Sequence, residues 1–331
     1  MPEPLVVQVM RAHKASILAE EDAKMEEMAR RWLKIEKSLQ SDLDALALEV
    51  VRMKEKGEPI ERAVIMRMER TQRLLYQARA ETGKYVQWAG EFIGDYQGEL
   101  AEQGLAHAQD AIMAVFKEWQ VAAGFDRLNV GAVESMIGLA GDGSPLSYWL
   151  RDVHPAAVDG VLDALINGVA KGIHPTKIAK DMANGFGLGL QRAMNTARTE
   201  TLRAYRNATL MQYEASNVVM GYKRISARDS RVCAGCLFSD GMVTQDLSEF
   251  AEHNQGRCSM VPVVIGVSEP MWQSPVEWFE GQSATTQESI LGSGRFEAWK
   301  NGAALQDMVK LVDDPTWGGA FVPTPVGELN Q

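Results

Sequence analysis

The chain has 331 residues, of which 46% are hydrophobic and 24% are charged, and its formal net charge is −10. This length favours two or more domains, and the composition is that of a folded protein and not of a disordered one. No run approaches the roughly 20 apolar residues that cross a bilayer, and the first residues lack the pattern of a secretory signal. Three cysteines are too few for a disulfide scaffold. We therefore expect a soluble protein without a membrane segment, made in a reducing cytoplasm.

The charges are unevenly distributed along the chain. Residues 191–260 carry nine basic and seven acidic side chains, whereas residues 91–190 and 261–331 are clearly acidic. A protein whose main activity is nucleic-acid binding needs a larger basic surplus, because neutralisation of phosphates drives that affinity. The sequence is compatible with DNA contact by one face and does not favour DNA binding as the principal function.

Residues 1–140 are predicted to be all helical. From Met25 to Met53 the apolar residues recur at steps of three and four, which is nearly heptad spacing. The favoured interpretation of this stripe is a helical hairpin that packs on itself, and the alternative is a coiled-coil or docking surface for another subunit. Gly57 and Pro59 are expected to end the first helix, and Gly83 the second.

A turn-rich segment, residues 141–145, is the first candidate domain boundary. Beyond it, helices are predicted over residues 155–170, 176–183 and 190–216, and the first two favour plain helix packing over a DNA-binding helix-turn-helix because basic residues are sparse. Two β-branched runs, 218–225 and 260–267, predict strands.

The predicted fold class is α+β: an all-helical N-terminal region, a helical segment, and then a small strand-rich module. The predicted domains are a helical docking region (1–140), a central domain (141–267) and a C-terminal extension (268–331). The extension is expected to contain one helix, around residues 305–311, and to end in an extended tail.

All three cysteines and one histidine lie within 26 positions. Cys233 and Cys236 form a Cys-x2-Cys pair, and His253 and Cys258 form a second pair after sixteen residues. Thiolate and imidazole are the donors that tetrahedral zinc prefers, and this spacing is similar to that of zinc ribbons. The sequence predicts a closed structural zinc site at the base of a β-hairpin, with no position left for an activated water.

Other interpretations of this segment stay open. A redox Cys-x2-Cys usually begins a helix, whereas strand-like sequence surrounds this one, and inert thiols are the remaining alternative. An HNH-type zinc-containing nuclease needs a catalytic histidine that is not a ligand, and a DNA-binding zinc module needs more positive charge. No catalytic residues are predicted, and we expect that the protein is not an enzyme.

The segments TARTETLRAYRNA, DSRVCAGC and the His-x4-Cys element that leads into SMVPVV occur in this order. Over about residues 150–267 the chain thereby resembles the phage Mu F-like head morphogenesis, or minor capsid, proteins. The family's His-Pro-Asn-Cys-Arg-Cys element departs here at Asn254 and Gly256. The positions that match its motifs, besides the four candidate ligands, are Arg198, Thr199, Glu200, Asn207, Asp229 and Arg257.

The resemblance implies a late virion protein located in the phage head and assembled in the bacterial host cytoplasm. It implies association with the portal protein and with the major capsid or scaffold protein during procapsid assembly. A contribution to DNA packaging or ejection, with phage genomic DNA as a further partner, is implied for some family members.

Overall fold

The computed structural model describes residues 3–120, 124–229, 231–248, 250–314 and 318–329. Within these ranges the protein is mostly helical and contains two small antiparallel sheets, so the predicted combination of helices and a small strand-rich part is confirmed. The helices are α1 (Leu5–Glu55), α2 (Arg62–Arg67), α3 (Glu69–Glu118), α4 (Leu146–Leu150), α5 (Val153–Ala170), α6 (Pro175–Phe186), α7 (Leu188–Ala215), α8 (Ala234–Phe238), α9 (Pro275–Glu280), α10 (Ala284–Leu291), α11 (Ser293–Lys300) and α12 (Val326–Leu329), with 3-10 turns at Val130–Met136 and Leu305–Met308.

The larger sheet has three antiparallel strands in the order β2-β1-β3. Its central strand is β1 (Val219–Ile225), flanked by β2 (Val243–Thr244) and β3 (Ser259–Val264). Both strands that the β-branched runs predicted are therefore present. The second sheet pairs β4 (Val309–Asp314) with β5 (Gly318–Pro323).

The chain divides into two compact units. Unit 1 comprises Met1–Ala19, Tyr96–Ile137 and Thr199–Gln331, and unit 2 comprises Glu20–Asp95 and Gly138–Arg198. Each unit contains residues from before and from after position 140. The long helices α1, α3 and α7 each contribute residues to unit 1 and to unit 2. The division into three consecutive domains, 1–140, 141–267 and 268–331, stays a prediction.

Unit 2 has a helical core that contains the near-heptad stripe. Met25, Met28, Trp32, Leu39 and Leu43 are each at most 3% exposed. They pack with apolar residues of α3, α5 and α6, and this burial supplies most of the stability of an amphipathic helix. The hairpin interpretation of the stripe is therefore correct, and these side chains are not free to form a docking surface.

Unit 1 has a mixed core in which the three-stranded sheet is covered by helices. Every residue of β3 is buried, and β1 exposes only Met220. Apolar residues of α1, α3, α7, α8 and the C-terminal helices pack against these strands. This core holds the segments that carry the cysteines.

Several local predictions are wrong. Gly83 does not break a helix, since α3 runs through it from Glu69 to Glu118, and a glycine costs only about 1 kcal/mol in a helix that packing stabilises. The helix expected around 305–311 is a 3-10 turn followed by β4, because Val309, Leu311 and Val312 favour a strand. The tail expected to be extended is so at residues 321–323, which belong to β5, but Val326–Leu329 form the short helix α12.

No helix in the described part of the chain is both long enough and apolar enough to cross a lipid bilayer.

Candidate metal centre

The Cys-x2-Cys pair begins helix α8. Cys233 is the N-cap residue, and its Sγ accepts a hydrogen bond from the backbone N–H of Cys236 at 3.3 Å. The expectation of strand structure around this motif is wrong, because residues Ala234–Phe238 form one short helical turn. The predicted β-hairpin with the ligands at its base is also not formed. Helix α8 lies between β1 and β2 in the chain, and β3 pairs with the other edge of β1.

The histidine of the second pair lies directly against the first pair. His253 Nε2 is 3.2 Å from Cys233 Sγ and 3.0 Å from Cys236 Sγ, so three of the predicted ligands form one group of donor atoms. Cys258 joins a second group, with Cys236 and Glu252, in which all donor atoms lie within 4.8 Å of one another. Cys236 belongs to both groups.

The four predicted ligands all border one small cavity. Its volume is about 60 Å³, and its other walls include Val232, Gln255 and Arg257. Cys236 and Cys258 are buried, whereas Cys233 and His253 are partly exposed, and none of the three cysteines forms a disulfide. Thiolate and imidazole are donors that suit zinc, and three of the four predicted donors, those of Cys233, Cys236 and His253, lie within 4.8 Å of one another.

The surroundings of Cys233 favour the thiolate form of its side chain. Hydrogen bonding from Cys236, and then from His253, lowers the pKa of Cys233 to about 4. The hydrogen bond with Cys233, and then the charge of Glu252, raises the pKa of His253 to about 9. A metal ion that binds here takes the place of that proton, because zinc requires a thiolate and a neutral imidazole.

Both ring nitrogens of His253 are already engaged. Nε2 faces the two sulfurs, and Nδ1 lies 2.7 Å from the backbone oxygen of Asn254. A general base needs a ring nitrogen that can reach a substrate or a water. An HNH-type role for His253 would require Nε2 to move away from the two sulfurs.

Glu252 and two arginines surround the candidate ligands, and sequence reasoning did not identify them. Glu252 is 7% exposed, and its Oε2 accepts a hydrogen bond from Arg224 Nη2 at 3.0 Å. Burial on its own would raise the pKa of Glu252, but the charges of Arg224 and then Arg206 lower it to about 2. The one available signal was that Arg224 falls within a predicted strand, where a buried charge needs a partner.

Two of the family-motif residues form an ion pair beside the cavity. Arg257 Nη2 donates to Asp229 Oδ1 at 2.8 Å, and Nη1 donates to Oδ2, so the pair is bidentate. Hydrogen bonding from Arg257 lowers the pKa of Asp229. The pair links the chain just before Cys233 to the residue that precedes Cys258.

The remaining motif residues lie on α7. Thr199 donates through its hydroxyl to Asn254 and accepts the N–H of Gln255 at 3.1 Å, so it contacts the ligand loop. Glu200 is buried beside Arg203, and Asn207 is half-buried. Arg198 lies in unit 2, where it pairs with Glu21 and Asp22, both at 3.6 Å.

Comparison with known families covers the same part of the chain. Residues 159–260 match the family model described as phage Mu protein F like protein. The predicted resemblance is confirmed over this segment. It extends from within α5 to the start of β3 and includes the candidate ligands. No curated protein and no solved structure matches the chain.

The family supports a role connected with the phage head and its assembly. Its members are structural proteins that are not known as enzymes.

Proposed function

We propose that the protein is a minor component of the phage head that associates with the portal protein and with the major capsid or scaffold protein during procapsid assembly. The observation that carries this proposal is the family match over residues 159–260. A role in packaging or ejecting phage DNA would be secondary, since residues 191–260 carry only a small basic surplus.

The proposal includes a structural zinc ion held by Cys233, Cys236, His253 and Cys258. Four donors from α8 and from the loop before β3 converge on one cavity of about 60 Å³. An ion there would tie these segments together, and the binding free energy of a structural zinc contributes directly to folding. Its role would be to fix the shape of a surface used in assembly.

Co-purification tests the assembly role. Tagged wild-type protein is expressed together with the portal, scaffold and major capsid proteins of the same phage, and the bound proteins are identified. We expect portal protein in the eluate, and we expect Cys236→Ser to reduce it while the exposed-surface control Glu288→Gln does not. Failure of the wild-type protein to bind any of the three would refute the assembly role.

A nuclease assay tests the alternative. Purified protein is mixed with plasmid DNA and magnesium or manganese, and the expected result is intact plasmid. Cleavage that His253→Asn abolishes would favour the HNH-type interpretation and contradict the structural one.

A further inference from the structure

Glu252 holds both residues of the second ligand pair through their backbones. Its Oε1 accepts the N–H of His253 at 3.1 Å, and its Oε2 accepts the N–H of Cys258 at 3.2 Å. Oε2 also accepts from Arg224 Nη2 at 3.0 Å. One buried carboxylate thus closes the loop 252–258 on itself and attaches it to β1.

Two buried arginines hold this loop and the residue before it. Arg224 Nη1 donates to the backbone oxygen of Ala251, and Arg206 Nη1 donates to that of Gly256 at 3.0 Å. Both side chains are almost fully buried, at 3% and 5% exposure. Glu252 balances one of their two positive charges, and a buried charge without compensation is costly.

A zinc ion with three thiolates and one neutral imidazole carries a net charge of about −1. That charge would balance the second arginine. Together with Glu252, Arg206 and Arg224, such a centre would be neutral overall.

Gly256 makes room for this arrangement. A Cβ atom built at residue 256 would lie only 2.1 Å from the carboxylate carbon of Glu252. The carboxylate cannot simply rotate away, because three N–H donors hold it. Alanine at this position would displace Glu252 without removing a single polar atom.

We propose that Glu252 is the positioning residue of the metal centre: it orients His253 and Cys258 through their amides and, with Arg206 and Arg224, matches the charge of a zinc ion bound by three thiolates. This inference rests on the zinc site proposed above. Carboxylates that orient metal ligands typically affect affinity by 10- to 100-fold.

The test measures zinc affinity by competition with a chromophoric chelator, for Glu252→Gln and for wild-type protein. The matched control is Asp240→Asn, because Asp240 is another buried carboxylate of unit 1, paired with Arg228 at 2.7 Å. We expect about a 10- to 100-fold loss for Glu252→Gln and unchanged affinity for the control. Gly256→Ala should weaken zinc binding in the same direction, and it serves as the second variant if Glu252→Gln does not fold.

Cobalt(II) spectra separate positioning from ligation. Glu252→Gln should keep the thiolate-to-cobalt charge-transfer intensity and the tetrahedral bands of the wild-type protein. Equal zinc affinity in Glu252→Gln and wild type would overturn the proposal, and so would altered tetrahedral bands, which would make Glu252 a ligand. Absence of zinc binding by the wild-type protein would instead refute the zinc site itself.

Discussion

Replacing Gly160 by alanine should destabilise unit 2, because α5 and α6 cross at two glycines. A Cβ atom at residue 160 would lie 2.1 Å from the backbone oxygen of Gly185, and one at residue 185 would lie 2.2 Å from that of Gly160. Both neighbours are backbone atoms, so no side chain can rotate away. The two helices would have to separate by more than about 1 Å to reach ordinary packing distance.

The change in the free energy of unfolding caused by Gly160→Ala is the balance of two opposing effects. Overpacking of a well-packed interior costs about 1–3 kcal/mol, and a clash between backbones belongs at the upper end. The higher helix propensity of alanine recovers up to about 1 kcal/mol. The expected net loss is about 2 kcal/mol, which would lower the melting temperature by roughly 4–8 °C.

Urea unfolding followed by far-ultraviolet circular dichroism measures this loss. The matched control is Gly83→Ala, because Gly83 lies inside α3 and a Cβ there would have no atom within 4 Å. That variant should be more stable than wild type by about 0.5–1 kcal/mol. If Gly160→Ala is as stable as wild type while Gly83→Ala behaves as expected, the close helix crossing is incorrect.

Three further results are expected. Asp229→Asn should destabilise the protein by about 1 kcal/mol in chemical denaturation, because Asp229 is partly exposed but accepts a bidentate arginine; unchanged stability would contradict this. Burial, and then the charge of His13, lowers the pKa of His107 from 6.5 to about 4. The unfolded chain therefore binds the proton first, and stability should fall by about 1–2 kcal/mol as pH drops from 6.5 to 4, after allowance for the partial exposure of the ring. His107→Gln should flatten that decline in melts at several pH values, and an identical slope would refute it. Chelation should lower the melting temperature of wild-type protein and leave Cys236→Ser unchanged; equal shifts would contradict a zinc contribution to folding.

Hydrophobic periodicity and residue type were sufficient to predict the helices and strands whose sequences carry strong local signals. The stripe from Met25 to Val50 predicted the first helix, and the β-branched residues of 218–225 predicted β1. The predicted helix break at Gly83 was wrong because a single glycine is a weak signal in a helix that tertiary packing stabilises. The turn at Cys233 was missed because five residues are too short for helical periodicity to show.

The candidate ligands were predictable, but their surroundings were not. Cysteine and histidine at zinc-like spacing are rare enough to stand out in a sequence. Glu252, Arg206 and Arg224 are common residue types, and only the fold buries them and brings them together. The clash of a side chain at Gly256 with Glu252 is likewise a property of tertiary structure.

The zinc content of purified protein shows whether Cys233, Cys236, His253 and Cys258 hold a metal ion. Elemental analysis of wild-type protein should find a single zinc ion per chain, and His253→Asn should lose it. The matched control His174→Asn should retain it, since His174 caps α6 and asparagine can also cap a helix. Wild-type protein that is folded, free of zinc and unable to take it up would contradict the account.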